Sequence, residues 1–174
     1  MEYSKHSTIL AVVEGLLRRG SWTGKTHVQK ALSLLSDARL IPPQFDFVLY
    51  KHGPYSFDVE NEIEQMRSYE AVNIYANPNG YGVTIRPGTN AFFVKRQAPL
   101  SAGHQAAIEK VCEFVDARSV TVLERLATAA WIRTNQAITE TAEVARRLNA
   151  LKPHVSIADA VAADQELAHF LACC

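Results

Sequence analysis

Residues 47–85 read FVLYKHGPYSFDVENEIEQMRSYEAVNIYANPNGYGVTI, and the signals inside this stretch run in the order strand, sharp turn, helix, hairpin. At its start Phe45, Phe47 and Leu49 alternate with Asp46, Val48 and Tyr50, the period of a half-buried strand. Lys51-His52-Gly53-Pro54-Tyr55-Ser56 then makes the turn. Gly53 admits backbone angles that other residues resist, Pro54 fixes φ and removes a donor, and Ser56 stands where it can cap the next helix. From residue 57 to about 69, Val59, Ile63 and Met66 fall on one helical face. Residues 72–75 and 81–85 flank Asn77-Pro78-Asn79-Gly80, whose Asn-Gly end is a hairpin signal.

Upstream, Ile9, Val12, Val13, Leu16 and Leu17 recur at helical spacing over residues 4–19, and Gly20 ends the run. A second helix is expected over residues 24–38, with Thr23 as its N-cap and Val28, Ala31, Leu32 and Leu35 inward, until Ile41-Pro42-Pro43 stops it. Two helices, a strand and turn, a third helix and a hairpin give residues 1–88 the order of a winged helix-turn-helix, with the hairpin as the wing. Residues 88–101 read as a packed connector containing Phe92, Phe93 and Val94. Beyond it, Ile108, Val111, Cys112 and Val115 make one helical stripe, and Leu123, Leu126, Ala127, Ala130 and Trp131 make another, with Thr121 and Glu124 spaced as a capping box. A helix over 139–151 follows, and after Lys152-Pro153, Ser156 can cap a last helix through Asp159. The fold class is therefore mainly α (α+β), with residues 89–174 a layer of about four helices that packs on the first region or serves as a dimer surface.

Among the 174 residues, 48% are hydrophobic and 21% charged, which excludes a disordered chain. No apolar run reaches the roughly 18 residues of a membrane span, and the first helix carries Glu14 where a signal peptide would be apolar, so a cytoplasmic location and no membrane partner are expected. Cys112, Cys173 and Cys174 make neither a disulfide framework nor a zinc spacing. Charge balances overall but not locally. Residues 1–57 carry seven basic against four acidic residues, a net of +3, whereas residues 58–70 carry five acidic residues against Arg67, a net of −4.

Four features invite a chemical reading. Gly24-Lys25-Thr26 imitates the end of a phosphate-binding loop, but Gly20 is one residue too close and a helix, not a strand, precedes it. His52 and Tyr55 could form an acid/base pair, yet no nucleophile or second carboxylate is fixed beside them, and a structural turn is the simpler account. The six histidines lack the i, i+4 spacing of a helical metal site. Cys173-Cys174 reads as two incidental thiols near the end of the sequence. No catalytic residue, metal or cofactor is expected.

The segments 24–35 (GKTHVQKALSLL), 50–56 (YKHGPYS) and 63–66 (IEQM) together resemble the YwgA-like bacterial proteins, and more distantly the Panacea domain of SocA-like antitoxins, which share the second-helix and glycine-proline pattern. Ala127-Thr128-Ala129 and residues 152–156 (KPHVS) fit the helical tail of the first group. The resemblance implies a winged-helix protein without enzyme activity, and for the Panacea group a neutraliser of toxins or an adaptor to a protease. A toxin or protease-type client is thus the expected partner. In a winged helix that reads DNA the third helix enters the major groove. Here that helix presents Asp58, Glu60, Asn61, Glu62, Glu64, Gln65 and Arg67, so that several carboxylates would meet phosphates, and the wing tip adds no cation. The first expectation is therefore an interaction module, antitoxin or adaptor, binding a basic protein through Tyr50, His52, Tyr55, Asp58, Glu60 and Glu64. The alternative is a DNA-binding transcriptional regulator that uses Arg18, Arg19, Lys25 and Lys30, with the C-terminal helices forming a homodimer.

Overall fold

Helix periodicity dominates this chain, and its computed structural model, which describes residues 3–78 and 80–173, is mainly helical. The elements are α1 (Tyr3–Arg18), α2 (Lys25–Asp37), β1 (Val48–Tyr50), β2 (Gly53–Tyr55), α3 (Phe57–Ser68), β3 (Val72–Ala76), β4 (Val83–Pro87), α4 (Ala91–Gln97), α5 (Ala102–Val115), α6 (Val120–Asn135), α7 (Thr141–Leu151) and α8 (Ile157–Ala172). Both sheets are two-stranded and antiparallel, with Leu49 opposite Pro54 in the first and Ile74 opposite Ile85 in the second.

One buried cluster runs through the chain. Leu10 and Leu16 of α1, Leu32 and Leu35 of α2, Ile63 and Met66 of α3 share it with Ile108 of α5, Leu126 of α6 and Leu148 of α7. Residues 89–174 therefore pack on residues 1–88, with α6 against α2 and β2, and α5 against α1. Each fully buried aliphatic side chain contributes about 1.5–3 kcal/mol, so the helical layer is part of what holds the first region together. None of the helices among the described residues is long and apolar enough to cross a membrane.

Local chemistry explains several departures from the sequence reading. The strand expected from residue 45 shortens to Val48–Tyr50, since Phe45 leaves the pleat to enter the core. Half of the expected turn is itself a strand, so Lys51 and His52 alone connect the pair. Thr23 does not cap α2; Gly24 occupies the N-cap position and supplies no side chain. The second strand of the expected hairpin starts at Val83 rather than at residue 81, because Asn77 Nδ2 donates to the Tyr81 carbonyl and Thr84 Oγ1 donates to Asn77 Oδ1, which holds the Asn77 and Tyr81 end of the connection as a loop. Asn79, half of the predicted Asn-Gly pair, lies outside the described residues, as does Cys174. The expected connector contains α4, which buries Ala91 and Val94 and leaves Phe92 and Phe93 outside. α6 is capped by Ser119, not by the Thr121–Glu124 box, and Glu140 caps α7. Ser56 and Ser156 cap α3 and α8 as their positions imply.

Candidate protein-docking face

The β1–β2 hairpin leads straight into α3, and this junction gathers the aromatic residues of the opening sequence on the outside of the molecule. Tyr50 is 59% exposed and Phe57 58%, with Tyr55 half-buried between them. The Tyr55 ring centroid stands 5.1 Å from that of Phe57 and 5.8 Å from that of Tyr50 in tilted and edge-on arrangements, and Val48 extends the patch. Phe57 was not among the expected site residues. Its signal was present, since it sits at the first helical position, off the face set by Val59, Ile63 and Met66. Asp58, Glu60 and Glu64 follow on the same helix. Tyr55 carries a raised phenol pKa, chiefly through burial and then through the Glu60 carboxylate.

Beneath this face lies a buried polar cluster. Lys152 Nζ donates to the Tyr50 carbonyl at 2.9 Å and to the Lys51 carbonyl, and lies 3.1 Å from Glu124 Oε1. From the opposite side Lys30 Nζ donates to the Pro54 carbonyl at 2.6 Å. Gln29 grips the hairpin's exit, with Nε2 donating to the Ser56 carbonyl and Oε1 accepting from the Ser56 N–H. Glu124 is buried between the lysines, with His52 Nδ1 and His154 Nε2 about 4 Å from its two oxygens. Burial lowers the Lys30 pKa to about 8; the Glu124 charge resists that shift and the Lys152 charge adds to it. These groups hold a backbone shape and leave the aromatic rings outside.

The four cations of the alternative reading are all committed within the chain. Lys30 is 2% exposed, so its ammonium is not available to a surface ligand, a correction that follows from its bond to Pro54. Lys25 binds Glu60 and, at 3.1 Å, Glu64, while Arg18 and Arg19 both donate to Glu109. Burial pulls the Lys25 pKa down, but its two carboxylate partners outweigh this and raise it. The basic and acidic segments of the sequence therefore meet inside one molecule. Glu62, read as an outward residue, also turns inward: it accepts from His6 Nε2 at 2.5 Å and lies near Lys5, while Tyr69 donates to His6 Nδ1 at 2.7 Å. Of the α3 carboxylates, Asp58 alone has no ion-pair partner among the described residues, with Glu70 beyond the helix end bonded to Thr89.

Among the described residues no group of three or more His, Cys, Asp or Glu side chains could hold a metal ion. Cys112 is buried, which pushes its thiol pKa up to about 12, and Cys173 is exposed. No protein-family model matches this chain, and no curated protein matches it.

Proposed function

We propose that this chain is a non-enzymatic, regulatory protein-interaction module that docks a partner on the Tyr50, Tyr55 and Phe57 face, with Asp58, the α3 carboxylate that has no ion-pair partner among the described residues, selecting a basic partner surface. The observation that carries the reading is the aromatic cluster itself, held outside the core by a buried polar clamp. Large aromatic side chains left in water beside a charged rim are the composition of interface anchors. A winged helix-turn-helix over residues 1–88, with the β1–β2 hairpin inserted between its second and third helices, accounts for the element order α1, α2, α3, β3, β4. The Ile85 N–H donates to the Thr23 carbonyl at 3.1 Å, which lays the segment before α2 against the wing and supports the same assignment. An antitoxin or adaptor role is the concrete form, in keeping with the YwgA-like and Panacea resemblance. Duplex binding through Arg18, Arg19, Lys25 and Lys30 has less support, because counterion release needs cations free to meet phosphates.

The test is nuclease-treated affinity capture from the native host with wild type beside Tyr50→Ser/Phe57→Ser and Asp58→Lys, each checked by circular dichroism to be fully folded at the temperature of the capture. The expected result is a protein that, once purified, binds wild type and loses about tenfold or more in affinity with each variant. Recovery of nucleic acid alone, bound more tightly by Asp58→Lys, would overturn the reading.

A further inference from the structure

A groove of about 870 Å³ runs between the start of α2, the β3–β4 loop and the start of α6. Its size is that of a small-molecule site. Two aromatic residues line it and remain in water, Trp22 at 59% and Tyr81 at 88% exposed. Between them α2 begins with Gly24, which brings no capping side chain. The first intrahelical bond runs from the Val28 N–H to the Gly24 carbonyl, so the N–H groups of Lys25, Thr26 and His27 find no acceptor within the helix, and among the described residues no side chain caps them. They form the positive end of a thirteen-residue helix.

A second observation falls at the same place. Thr23 lines the groove, is 2% exposed, and its buried Oγ1 has no hydrogen-bond partner, an arrangement that destabilises a folded chain unless something else bonds it. His27 also lines the groove, but its Nε2 is engaged by the Arg118 carbonyl at 3.0 Å, and burial lowers its pKa against the opposing effect of that bond. Lys25 is drawn off by Glu60 and Glu64. The anion-binding capacity is therefore that of the backbone, and one small charge suits it better than a polyanion.

We propose that this groove binds a small molecule in which a planar ring carries one anionic group: the phosphate or carboxylate sits on the free N–H groups of α2 and the Thr23 hydroxyl, and the ring lies against Trp22 and Tyr81. The imitation of a phosphate-binding loop by Gly24-Lys25-Thr26 thus has a physical core, an uncapped helix start, without the loop. This inference stands independently of the docking face.

The test is a titration of the ¹⁵N-labelled full chain with AMP and with benzoate, using adenosine, benzamide and inorganic phosphate as controls. The expected result is saturable shifts of the Lys25, Thr26 and His27 amides and the Trp22 indole with a Kd below about 1 mM for AMP or benzoate, and binding at least about tenfold weaker for the three controls. Binding of AMP alone identifies a nucleotide-type ligand, and binding of benzoate alone an aromatic acid. Thr23→Val removes the hydroxyl at constant shape: the folded state should be as stable as wild type or more so, while affinity falls about tenfold. No saturable shift with either probe, phosphate alone matching AMP, or unchanged affinity in Thr23→Val would each overturn the proposal.

Discussion

β1–β2 and β3–β4 are both two-stranded antiparallel hairpins, and an isolated hairpin is marginal in water, so each needs outside support. The longer one, five residues a strand, finds it in apolar burial: Val72 and Ile85 sit fully in the core, and its polar bonds through Asn77 are local. The shorter one, three residues a strand, turns Val48 and Tyr50 to solvent and has little side chain to bury. Its support is electrostatic and comes from far along the chain, through Lys30 and Lys152 on its carbonyls and Glu124 between them. A hairpin held by its backbone can spend its side chains on a partner. A hairpin held by its side chains cannot.

The sharpest way to break this contrast is to remove Glu124. Glu124→Leu leaves two buried ammonium groups without their carboxylate and should cost about 3–5 kcal/mol, read as a lower urea midpoint at unchanged slope. On the other hairpin Asn77→Ala loses only partly exposed, local bonds and should cost about 1 kcal/mol. Next in size is a pH effect. Lys30 has a folded pKa of about 8 against an ordinary 10.5, so between these values the unfolded chain binds more protons and stability rises with pH. The rise amounts to about 3 kcal/mol at most, from the size of the shift. Cys112 and Tyr69, both raised to about 12, push the other way above pH 9 and pH 10 respectively. The contribution of Lys30 is therefore read from wild type against Lys30→Met, which keeps the other two groups, and the stability of wild type relative to that variant should rise as pH goes from 8 to 10.5.

Glycine substitutions sharpen the comparison further. Gly53 has φ +84°, and a Cβ there would come within 3.0 Å of Thr128 Oγ1 and 3.4 Å of the Glu124 carbonyl, against the helix that holds the clamp. Gly80 has φ +79° with nothing within 4 Å. Gly80→Ala should cost the left-handed penalty of about 1–2 kcal/mol, and Gly53→Ala should exceed it by about 1 kcal/mol because steric strain is added. Equal effects in thermal denaturation would mean that β2 is not pressed on α6 as tightly as the clamp implies.

Much of this architecture was legible in local sequence. Val59, Ile63 and Met66, Ser56 as a cap and Ser156 as another all follow from spacing and short-range chemistry, and short-range chemistry is what a sequence displays. The clamp was not legible, since Lys30, Glu124 and Lys152 are separated by whole helices and each has a bland local reading: surface cation, cap, residue before proline. The charge reversal between residues 1–57 and 58–70 was visible, but charge along a chain does not say which charges face each other, and Lys25 meets Glu60 and Glu64 in the same molecule. Tyr50 was read as the end of a strand and Tyr55 as part of the turn, and both are strand residues, Tyr50 in β1 and Tyr55 in β2. Phe57 was overlooked because an aromatic residue at a helix start is usually taken into a core, and only the fold reveals that the core face lies elsewhere.

The smallest expected effect separates the two hairpins by their surface aromatic residues. Tyr81, on the β3–β4 loop, is almost fully exposed and has no aromatic neighbour among the described residues, so Tyr81→Ala should change stability by less than about 0.5 kcal/mol. Tyr50 is also exposed, but its ring meets Tyr55 at 5.8 Å and Phe57 at 6.2 Å, and such pairs contribute about 0.5–1.5 kcal/mol. Tyr50→Ala should therefore cost about 1 kcal/mol, with Phe57→Ala similar and the double variant less than the sum, because the two residues share one cluster. A double-mutant cycle by urea denaturation measures this coupling. A coupling near zero would mean that the three rings are merely neighbours in solution. A coupling near 1 kcal/mol would mean that the cluster is ordered before any partner arrives, so that binding need not order it.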